Sequence, residues 1–291
     1  LPPSGEEATA TFVATAKQGQ AVRKKGEEFR AGELLVPSGA LCSAAVAALA
    51  ASQGCAKIDV GRAPRVGVLT TGSELAAPGD LLKAGQIYES NSVAISSVVR
   101  SLTGEQPVAQ SSSDDVDAIA QTLGEMLDVC DVVVTTGGAS VGEKDLVRDA
   151  LQRCGVCEKF WRIAMKPGKP VSFGVHPSGG LVFALPGNPV SAQVTFALLV
   201  APAILKMMGA RDPGPKFEPA VLGACVRRSA GRKEFLRATT RYEGGQMFAD
   251  PLSGQGSHMS RGVALADRLI VIEPDVKCLE AGTIVDTVRW R

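Results

Sequence analysis

Aromatic residues and histidines are scarce in this chain, and its charges are almost balanced. Phe, Trp and Tyr make up 4% of the 291 residues, and 31 Lys and Arg face 30 Asp and Glu. Nucleic-acid-binding proteins use aromatic stacking platforms and clustered positive charge, so this composition argues against a nucleic-acid partner. His176 and His258 are the two histidines, which excludes a three-histidine metal site and leaves Ser-His-Asp hydrolysis without support.

A long hydrophobic run and a disulfide framework are also lacking. The longest apolar stretch, residues 196–205, is too short to cross a bilayer, and residues 1–10 have no charged-then-apolar signal pattern. Seven cysteines at irregular spacings fit a reducing compartment. Cys154 and Cys157 lack a second ligand pair, and we interpret them as unrelated thiols. These features predict a cytoplasmic protein without a membrane segment.

The chain is long enough for two or three domains, since 291 residues exceed one typical core, and its 45% apolar and 21% charged residues are a globular composition. Strand and helix patterns alternate through residues 63–210, which predicts a three-layer α/β domain with a mostly parallel sheet. Residues 211–291 contain short strand-like segments and predict a small C-terminal all-β domain. Residues 1–62 read as a strand, a basic loop and an alanine-rich helix, and they form a partial N-terminal region too short to bury a core alone.

Two further elements are predicted inside the α/β domain. Residues 159–165 are predicted to form one strand because apolar and aromatic residues dominate them. Residues 188–209 are predicted to form a long buried helix that begins at Asn188 and Pro189, since proline is favoured in the first helical turn.

The segment DVVVTTGGASVGEKD, residues 131–145, predicts a strand, a glycine turn and a helix. Gly137 and Gly138 allow the main chain to approach a ligand closely, and Ser140 is placed where it could cap the helix that follows. Free N–H groups at such a turn suit a phosphate or another oxyanion. An ordinary tight turn between a strand and a helix explains the segment equally well.

Three loops of this kind follow predicted strands. They contain Thr71, Gly72 and Glu74, then the turn of residues 131–145, then Pro186, Gly187 and Pro189. Ligands of open α/β sheets bind where the carboxyl ends of the strands meet their loops. We therefore expect the three loops to converge on one crevice.

Four ordered motifs, TTGSEL, TTGGASVGEKD, MKPGKP and LPGNPVSA, resemble the MoeA family of molybdopterin molybdenumtransferases, which includes the gephyrin E domain. The segments GRKEFLRA and GQGSHMSRGVALADRLIVIEP resemble it too, so the resemblance covers nearly the whole chain. It implies an enzyme of molybdenum cofactor biosynthesis that inserts molybdate into adenylylated molybdopterin and releases AMP, assisted by Mg²⁺. Glycine turns, lysines and carboxylate-bound magnesium suit such anionic substrates.

The resemblance implies roles for individual residues. Glu74, Asp114 and Asp145 would bind magnesium and orient the phosphoanhydride, although each could be a solvated acid, and the neighbouring Asp115 could cap the following helix. The remaining residues implied to contact molybdate, phosphate or pterin are Thr71, Gly72, Gly137, Gly138, Ser140, Arg162, Lys166, Lys169, Pro186, Gly187, Pro189 and Ser257. Lys166 would also take part in catalysis, although lysine and proline are common on solvated edge strands as well. Ser257 could be only a turn residue.

The chain also departs from the family pattern. It has Gly26-Glu27-Glu28 where the family commonly has Gly-Glu-Asp, and it begins with Leu1. Family members are longer at the N-terminus, and that region helps to cover the partner's crevice in a homodimer. We therefore expect an N-terminally incomplete chain whose turnover on its own is in doubt.

Two other functions remain open at this point. A molybdopterin adenylyltransferase shares the TTGG turn and the sheet but has one domain, and it is also a possible partner. The chain could also be a non-catalytic scaffold, since the gephyrin E domain binds receptor peptides as well. Such a scaffold would keep the motifs without activity. Release of AMP from adenylylated molybdopterin and molybdate would discriminate between them.

Overall fold

The computed structural model describes residues 13–137 and 145–290. Between residues 13 and 62 it contains the predicted alanine-rich helix, α1 (Ala44–Ser52), and no strand. Ser43 caps α1 through its side chain, which accepts a hydrogen bond from Val46 N, and none of the residues of α1 is buried. The predicted N-terminal strand is therefore wrong for the described part of this segment, because it has no neighbouring strand to pair with.

The middle of the chain alternates strands and helices as predicted. Its elements are β1 (Val66–Thr71), β2 (Leu75–Ala76), β3 (Ile87–Tyr88), α2 (Asn91–Thr103), β4 (Val108–Ser112), α3 (Val116–Leu127), β5 (Val132–Thr136), α4 (Leu146–Arg153), β6 (Cys157–Trp161), β7 (Met165–Lys166), β8 (Ser172–Val175), β9 (Leu181–Leu185), α5 (Pro189–Thr195) and α6 (Ala201–Met207).

Six of these strands form one sheet in the order β4-β1-β5-β9-β8-β6. The pairings β4-β1, β1-β5 and β5-β9 are parallel, and β8 pairs antiparallel with β9 and with β6. The expected α/β domain with a mostly parallel sheet is confirmed. Every residue of β1 and β5 is buried, as expected for central strands covered on both faces.

Successive residues of β5 point to opposite faces of the sheet and enter different cores. Val133 packs with Leu123 of α3 and other residues on one face. Val132 and Val134 pack on the other face with α2 and with the segment from Pro189 onward. Helices therefore cover both faces, which gives the three predicted layers.

The long helix after β9 starts with Asn188 as its N-cap and Pro189 as its first residue, as predicted. It runs from α5 through the π-helical turn Phe196–Val200 into α6. Pro189–Met207 is long and apolar enough to cross a membrane by length and composition. Phe196, Val200 and Ile204 are buried in the core under the sheet, so this segment is accounted for as a core helix.

The single strand predicted for residues 159–165 is wrong. Arg162 has a left-handed backbone, with φ of 64°, which interrupts the extended chain between β6 and β7. β6 is one of the two edge strands of the α/β sheet, and its register against β8 shifts between Glu158 and Phe160. β7 leaves that sheet and pairs with a strand of the C-terminal domain.

The C-terminal domain is built mostly of strands, as predicted. Its elements are β10 (Phe217–Leu222), β11 (Val226–Arg227), β12 (Lys233–Glu243), β13 (Gln246–Pro251), α7 (Ser260–Leu265), β14 (Arg268–Ile272), β15 (Cys278–Leu279) and β16 (Ile284–Arg289). The pairings follow the order β13-β10-β16-β14-β12, and β13 also pairs with β12. The five strands therefore close into a small barrel, and the expected C-terminal β domain is confirmed.

A shared hydrophobic core joins the barrel to the α/β domain. Met165, Val190 and Val194 pack there against Phe235 and Leu269 of the barrel. β7 contributes two more links, since Met165 and Lys166 lie opposite Lys233 and Glu234 of β12. Any cleft at this boundary therefore has walls from both domains.

Candidate active site

The three glycine-containing loops start from adjacent strands. Thr136 at the end of β5 lies opposite Thr70 of β1 on one side and Leu185 of β9 on the other. Gly137 is so close to its neighbours that an added Cβ would lie 2.0 Å from the carbonyl oxygen of Thr71, and a Cβ on Gly187 would lie 3.3 Å from Gly137 Cα. The expected convergence of the loops is confirmed.

A crevice of about 910 Å³ opens at this meeting point. Its wall includes residues from the loops after β1, β5 and β9, from the segment around β7, and from the barrel at residues 255–257. Nine of the residues implied by the sequence line it: Thr71, Glu74, Gly137, Lys166, Lys169, Pro186, Gly187, Pro189 and Ser257.

Of the other implied residues that the structure describes, none lines the crevice; these are Gly72, Asp114, Asp145 and Arg162. Asp114 accepts a hydrogen bond of 2.8 Å from Ser73 N, beside the loop that follows β1. Arg162 stacks its guanidinium 3.8 Å from the centre of the Trp161 ring and does not line the crevice. Gly138 and Ser140 lie outside the described residues. The alternative that Asp115 caps the next helix is correct, because its carboxylate accepts a hydrogen bond from Ala118 N.

Glu74 lines the crevice directly after β1. Its side chain turns back toward Gly72, where an added Cβ would lie 2.8 Å from Glu74 Oε2. Its backbone carbonyl accepts a hydrogen bond of 2.9 Å from Ile87 N, next to the small β2-β3 pairing. A paired backbone and a close glycine therefore set the position of this carboxylate.

Asp145 is the N-cap of α4, and its carboxylate accepts a hydrogen bond of 3.1 Å from Arg148 N. The sequence suggested Ser140 for this role, but Ser140 lies outside the described residues, and α4 begins six residues after it, at Leu146, with Asp145 as its cap. Burial raises the pKa of Asp145, and the bond from Arg148 N opposes the rise. A carboxylate kept partly out of water in this way is common at functional sites.

Lys166 is held by a residue that the sequence did not point to. Its Nζ lies 2.7 Å from Glu234 Oε1, and the other oxygen of Glu234 lies 2.7 Å from Nε of Arg228. The Glu234 and Arg228 side chains are 4% and 5% exposed, whereas that of Lys166 is 48% exposed. A buried ion pair in the barrel thus fixes a half-exposed ammonium at the wall of the crevice.

Asn91 is a second residue missed from the sequence. It is buried, lines the crevice, and donates a hydrogen bond of 2.8 Å from Nδ2 to the carbonyl of Gly187. Its Oδ1 and the Oγ1 of Thr71 are buried without a protein partner within the described residues. Because buried polar groups are normally paired, two such atoms at the wall of one crevice indicate a polar ligand.

The charges of the crevice suit an anionic ligand that carries a metal. Lys166, Lys169 and Arg232 supply positive charge, and Glu74 and Glu89 supply carboxylates. Lysine and arginine bind phosphate and other oxyanions, and carboxylate oxygens are the ligands that magnesium prefers. Glu89, Arg232 and Gln255 were not predicted, since no strand-end motif contains them.

Comparisons with known proteins agree with this geometry. Residues 67–206 match the family described as "Probable molybdopterin binding domain", and residues 219–290 match the "MoeA C-terminal region (domain IV)". The second match covers the barrel, which the single-domain alternative would lack.

The chain is 35% identical over 275 residues to molybdopterin molybdenumtransferase 2 of Mycobacterium tuberculosis, covering 92% of this chain and 67% of that protein. It is 34% identical to the molybdopterin molybdenumtransferase of Haemophilus influenzae, covering 96% of this chain and 69% of that protein. The crystal structure of the MoeA molybdopterin biosynthesis protein of Pyrococcus horikoshii superimposes with a TM-score of 0.75 and 33% identity, covering 89% of this chain and 63% of that one. The chain thus spans about two thirds of the length of these relatives. Motifs, barrel and relatives agree that the chain belongs to the MoeA family of molybdopterin molybdenumtransferases.

Proposed function

We propose that this chain inserts molybdate into adenylylated molybdopterin with release of AMP. The observation that carries the proposal is the crevice between the α/β domain and the barrel, which Lys166, Lys169 and Arg232 line together with the carboxylates of Glu74 and Glu89. Both substrates are anions, and fixed cations stabilise charge in a phosphate leaving group more strongly than water does. The family of the relatives supports the same reaction.

The residues of the chain divide the work by charge. Lys169 and Lys166 hold phosphate or molybdate oxygens, and Glu234 keeps the Lys166 ammonium from swinging away. The unpaired Thr71 Oγ1 and Asn91 Oδ1 bond to polar atoms of the substrate. Barrel residues at 255–257 form part of the crevice wall, where the carbonyl of Ser257 accepts a hydrogen bond from Val190 N, and they limit the access of water.

Carboxylates in and beside the first two loops are candidates for holding magnesium, because it prefers oxygen ligands. Glu74 lines the crevice, and the bonds that Asp114 and Asp145 accept from backbone N–H groups each use one carboxylate oxygen, whereas a carboxylate offers about four acceptor positions. We propose these three carboxylates as its holders. Bound there, the ion would neutralise charge on the phosphates.

The direct test is the release of AMP when the purified chain is mixed with adenylylated molybdopterin, molybdate and magnesium. Glu74→Gln should lower the rate by roughly a hundredfold or more, the usual scale for removing an electrostatic contact to the reacting group. The matched control is Glu125→Gln, an exposed position on α3 that does not line the crevice. Equal rates for the two variants, or no AMP from the chain itself, would contradict the proposal and favour the scaffold alternative.

We also propose that the protein acts as a homodimer in the cytoplasm. Leu34, Leu41 and Val60 are 80%, 85% and 67% exposed in the N-terminal segment, and apolar side chains in such numbers favour burial against another surface. The seven cysteines are all free, which fits a reducing compartment. Sedimentation equilibrium measures the assembly, and a monomer at micromolar concentration would count against a dimer.

The adenylylated substrate requires a preceding adenylyl-transfer reaction, so we propose a molybdopterin adenylyltransferase as a functional partner. A coupled assay that starts from molybdopterin and ATP would test this. AMP should form in it only when both proteins are present.

A further inference from the structure

A short two-stranded ribbon on the barrel carries a group of residues that the proposed reaction does not use. β11 and β15 pair antiparallel, with Val226 opposite Leu279 and Arg227 opposite Cys278. Alternate residues of a strand share one face. Cys225, Arg227, Cys278 and Glu280 therefore project from the same side of the ribbon, although the two strands are far apart in sequence.

Three of these residues, Cys225, Cys278 and Glu280, place possible metal-ligand atoms close together. The sulfurs of Cys225 and Cys278 and a carboxylate oxygen of Glu280 all lie within 4.8 Å of one another. Cys278 Sγ is 3.4 Å from Glu280 Oε1. In tetrahedral zinc sites the bond lengths give edges of about 3.8 Å between two sulfurs and about 3.6 Å between sulfur and oxygen. The ligand atoms are thus already close to the spacing of a filled site.

The kind of ligand selects the kind of metal. Thiolates bind zinc and other soft or borderline cations, whereas magnesium takes oxygen ligands. All three residues are exposed, so an ion has direct access and water can supply a fourth ligand. We propose that Cys225, Cys278 and Glu280 form a binding site for a thiophilic divalent cation such as Zn²⁺, separate from the crevice, whose lining contains none of the three.

Arg227 is the group that opposes a cation here. Its side chain hydrogen-bonds to Cys225. A bound cation has to displace that contact and tolerate the neighbouring positive charge. Arg227→Gln should therefore tighten metal binding, whereas a merely structural role of the ribbon gives no reason for such a gain.

The test is a titration of the reduced full chain with Cd²⁺, in magnesium sufficient to occupy oxygen sites. The ultraviolet band of cadmium thiolate should saturate at one ion per chain, and Zn²⁺ should remove it by competition. Cys225→Ser with Cys278→Ser should abolish this binding, and Glu280→Gln should weaken it by roughly tenfold or more. Cys42→Ser with Cys55→Ser, a matched pair of exposed cysteines, should leave it unchanged.

Two results would overturn the site. The first is a cadmium band that persists in the Cys225 and Cys278 double variant. The second is a reduced native chain that binds no ion. If Cys225 and Cys278 of that chain also form a disulfide in air, the pair belongs to redox chemistry instead. Because all the changed residues are exposed, unchanged urea unfolding curves can confirm that the variants fold.

Discussion

Glu234 shows how one side chain can link a domain interior to a reactive surface. It belongs to β12, where its neighbours Phe235 and Leu236 are buried, and it is itself 3% exposed. A charge in that position is stable only when cations satisfy it. Arg228 meets this need from inside the barrel, and Lys166 meets it from the crevice.

Glu234→Gln should destabilise the chain by about 3–5 kcal/mol, because it leaves Arg228 buried without its counter-charge. Glu243→Gln is the matched control on the same strand, where the side chain is 69% exposed, and it should change the free energy of unfolding by no more than about 0.5 kcal/mol. Urea denaturation measures both. Similar midpoints for the two variants would mean that the buried pair does not stabilise the fold.

Asp131 should make stability depend on pH. Its carboxylate accepts hydrogen bonds from both terminal nitrogens of Arg62 and from Arg65 N, and the bond from Arg62 is the main reason why its pKa is lowered. A lowered pKa in the folded state stabilises the protein above the unfolded value of about 3.9. That contribution is lost as the pH falls through the folded value.

Asp131→Asn should therefore be less stable than the native chain at pH 7, and the difference should shrink steadily below about pH 4. The measurement is the urea midpoint at a series of pH values. Asp128→Asn, at a neighbouring exposed position, controls for a general effect of removing one charge. A deficit of constant size across the whole pH range would disprove the mechanism.

At the residue scale, sequence reasoning found the side chains that follow strands in motifs. Thr71, Glu74 and Gly187 line the crevice, because a strand end with glycine or proline is visible in one sequence. Asn91 and Glu234 were missed because their importance comes from partners distant in sequence. The acidic residue inside the apolar strand KEFLRA was the available signal, since an acid there requires a cationic partner.

At the scale of elements, the turn after β5 decides how closely the three loops approach. Gly137 has φ of 93°, a conformation that L side chains rarely adopt, and it packs against the carbonyl of Thr71. This close contact between the backbones of two loops brings their N–H and carbonyl groups to one place. The geometry of the crevice depends on the absence of a single Cβ.

Gly137→Ala should destabilise the chain by about 1–3 kcal/mol more than Gly179→Ala, since the added methyl group must push the backbone of β1 away. Gly179 is a matched control because its φ of 91° is similar but an added Cβ there meets nothing within 4 Å. Urea unfolding gives the difference. Binding of AMP should also weaken in Gly137→Ala alone, and equal behaviour of the two variants would show that the contact with Thr71 is unimportant.

The elements that sequence reasoning found and missed differ in burial. β1, β5 and the long helix from Pro189 were predicted because continuous apolar patterns form where both faces are covered. β4 was missed, since its sequence VAQSS is polar and none of its residues is buried. The division of residues 159–165 between two sheets depends on the backbone of Arg162 and on pairing with β12, which no local pattern contains.

At the scale of the whole molecule, the α/β domain and the barrel share one core. Val190 and Val194 of the long helix pack there with Leu269 and Val288 of the barrel, and Trp290 packs against this cluster. The crevice lies over the same boundary. Separating the domains would expose this core, so the two halves of the site are held together by apolar burial.

The two tryptophans should therefore report a single unfolding transition. Trp161 lies in β6 of the α/β domain and Trp290 follows the last barrel strand. In Trp290→Phe the remaining Trp161 reports on the α/β domain, and in Trp161→Phe the remaining Trp290 reports on the barrel. In each variant we expect the fluorescence midpoint in urea to equal the midpoint measured by circular dichroism. Fluorescence midpoints that differ from the circular dichroism midpoint of the same variant would show that the domains unfold independently.

The shifted register of β6 has a consequence for contacts between copies of the chain. A regular outermost strand offers unpaired backbone groups on which a strand of another molecule can add, and bulges and charged side chains discourage this. β6 has both, since its register shifts between Glu158 and Phe160 and Lys159 lies at the shift. The irregularity that ends the α/β sheet therefore also protects the chain from edge-to-edge aggregation during expression and storage.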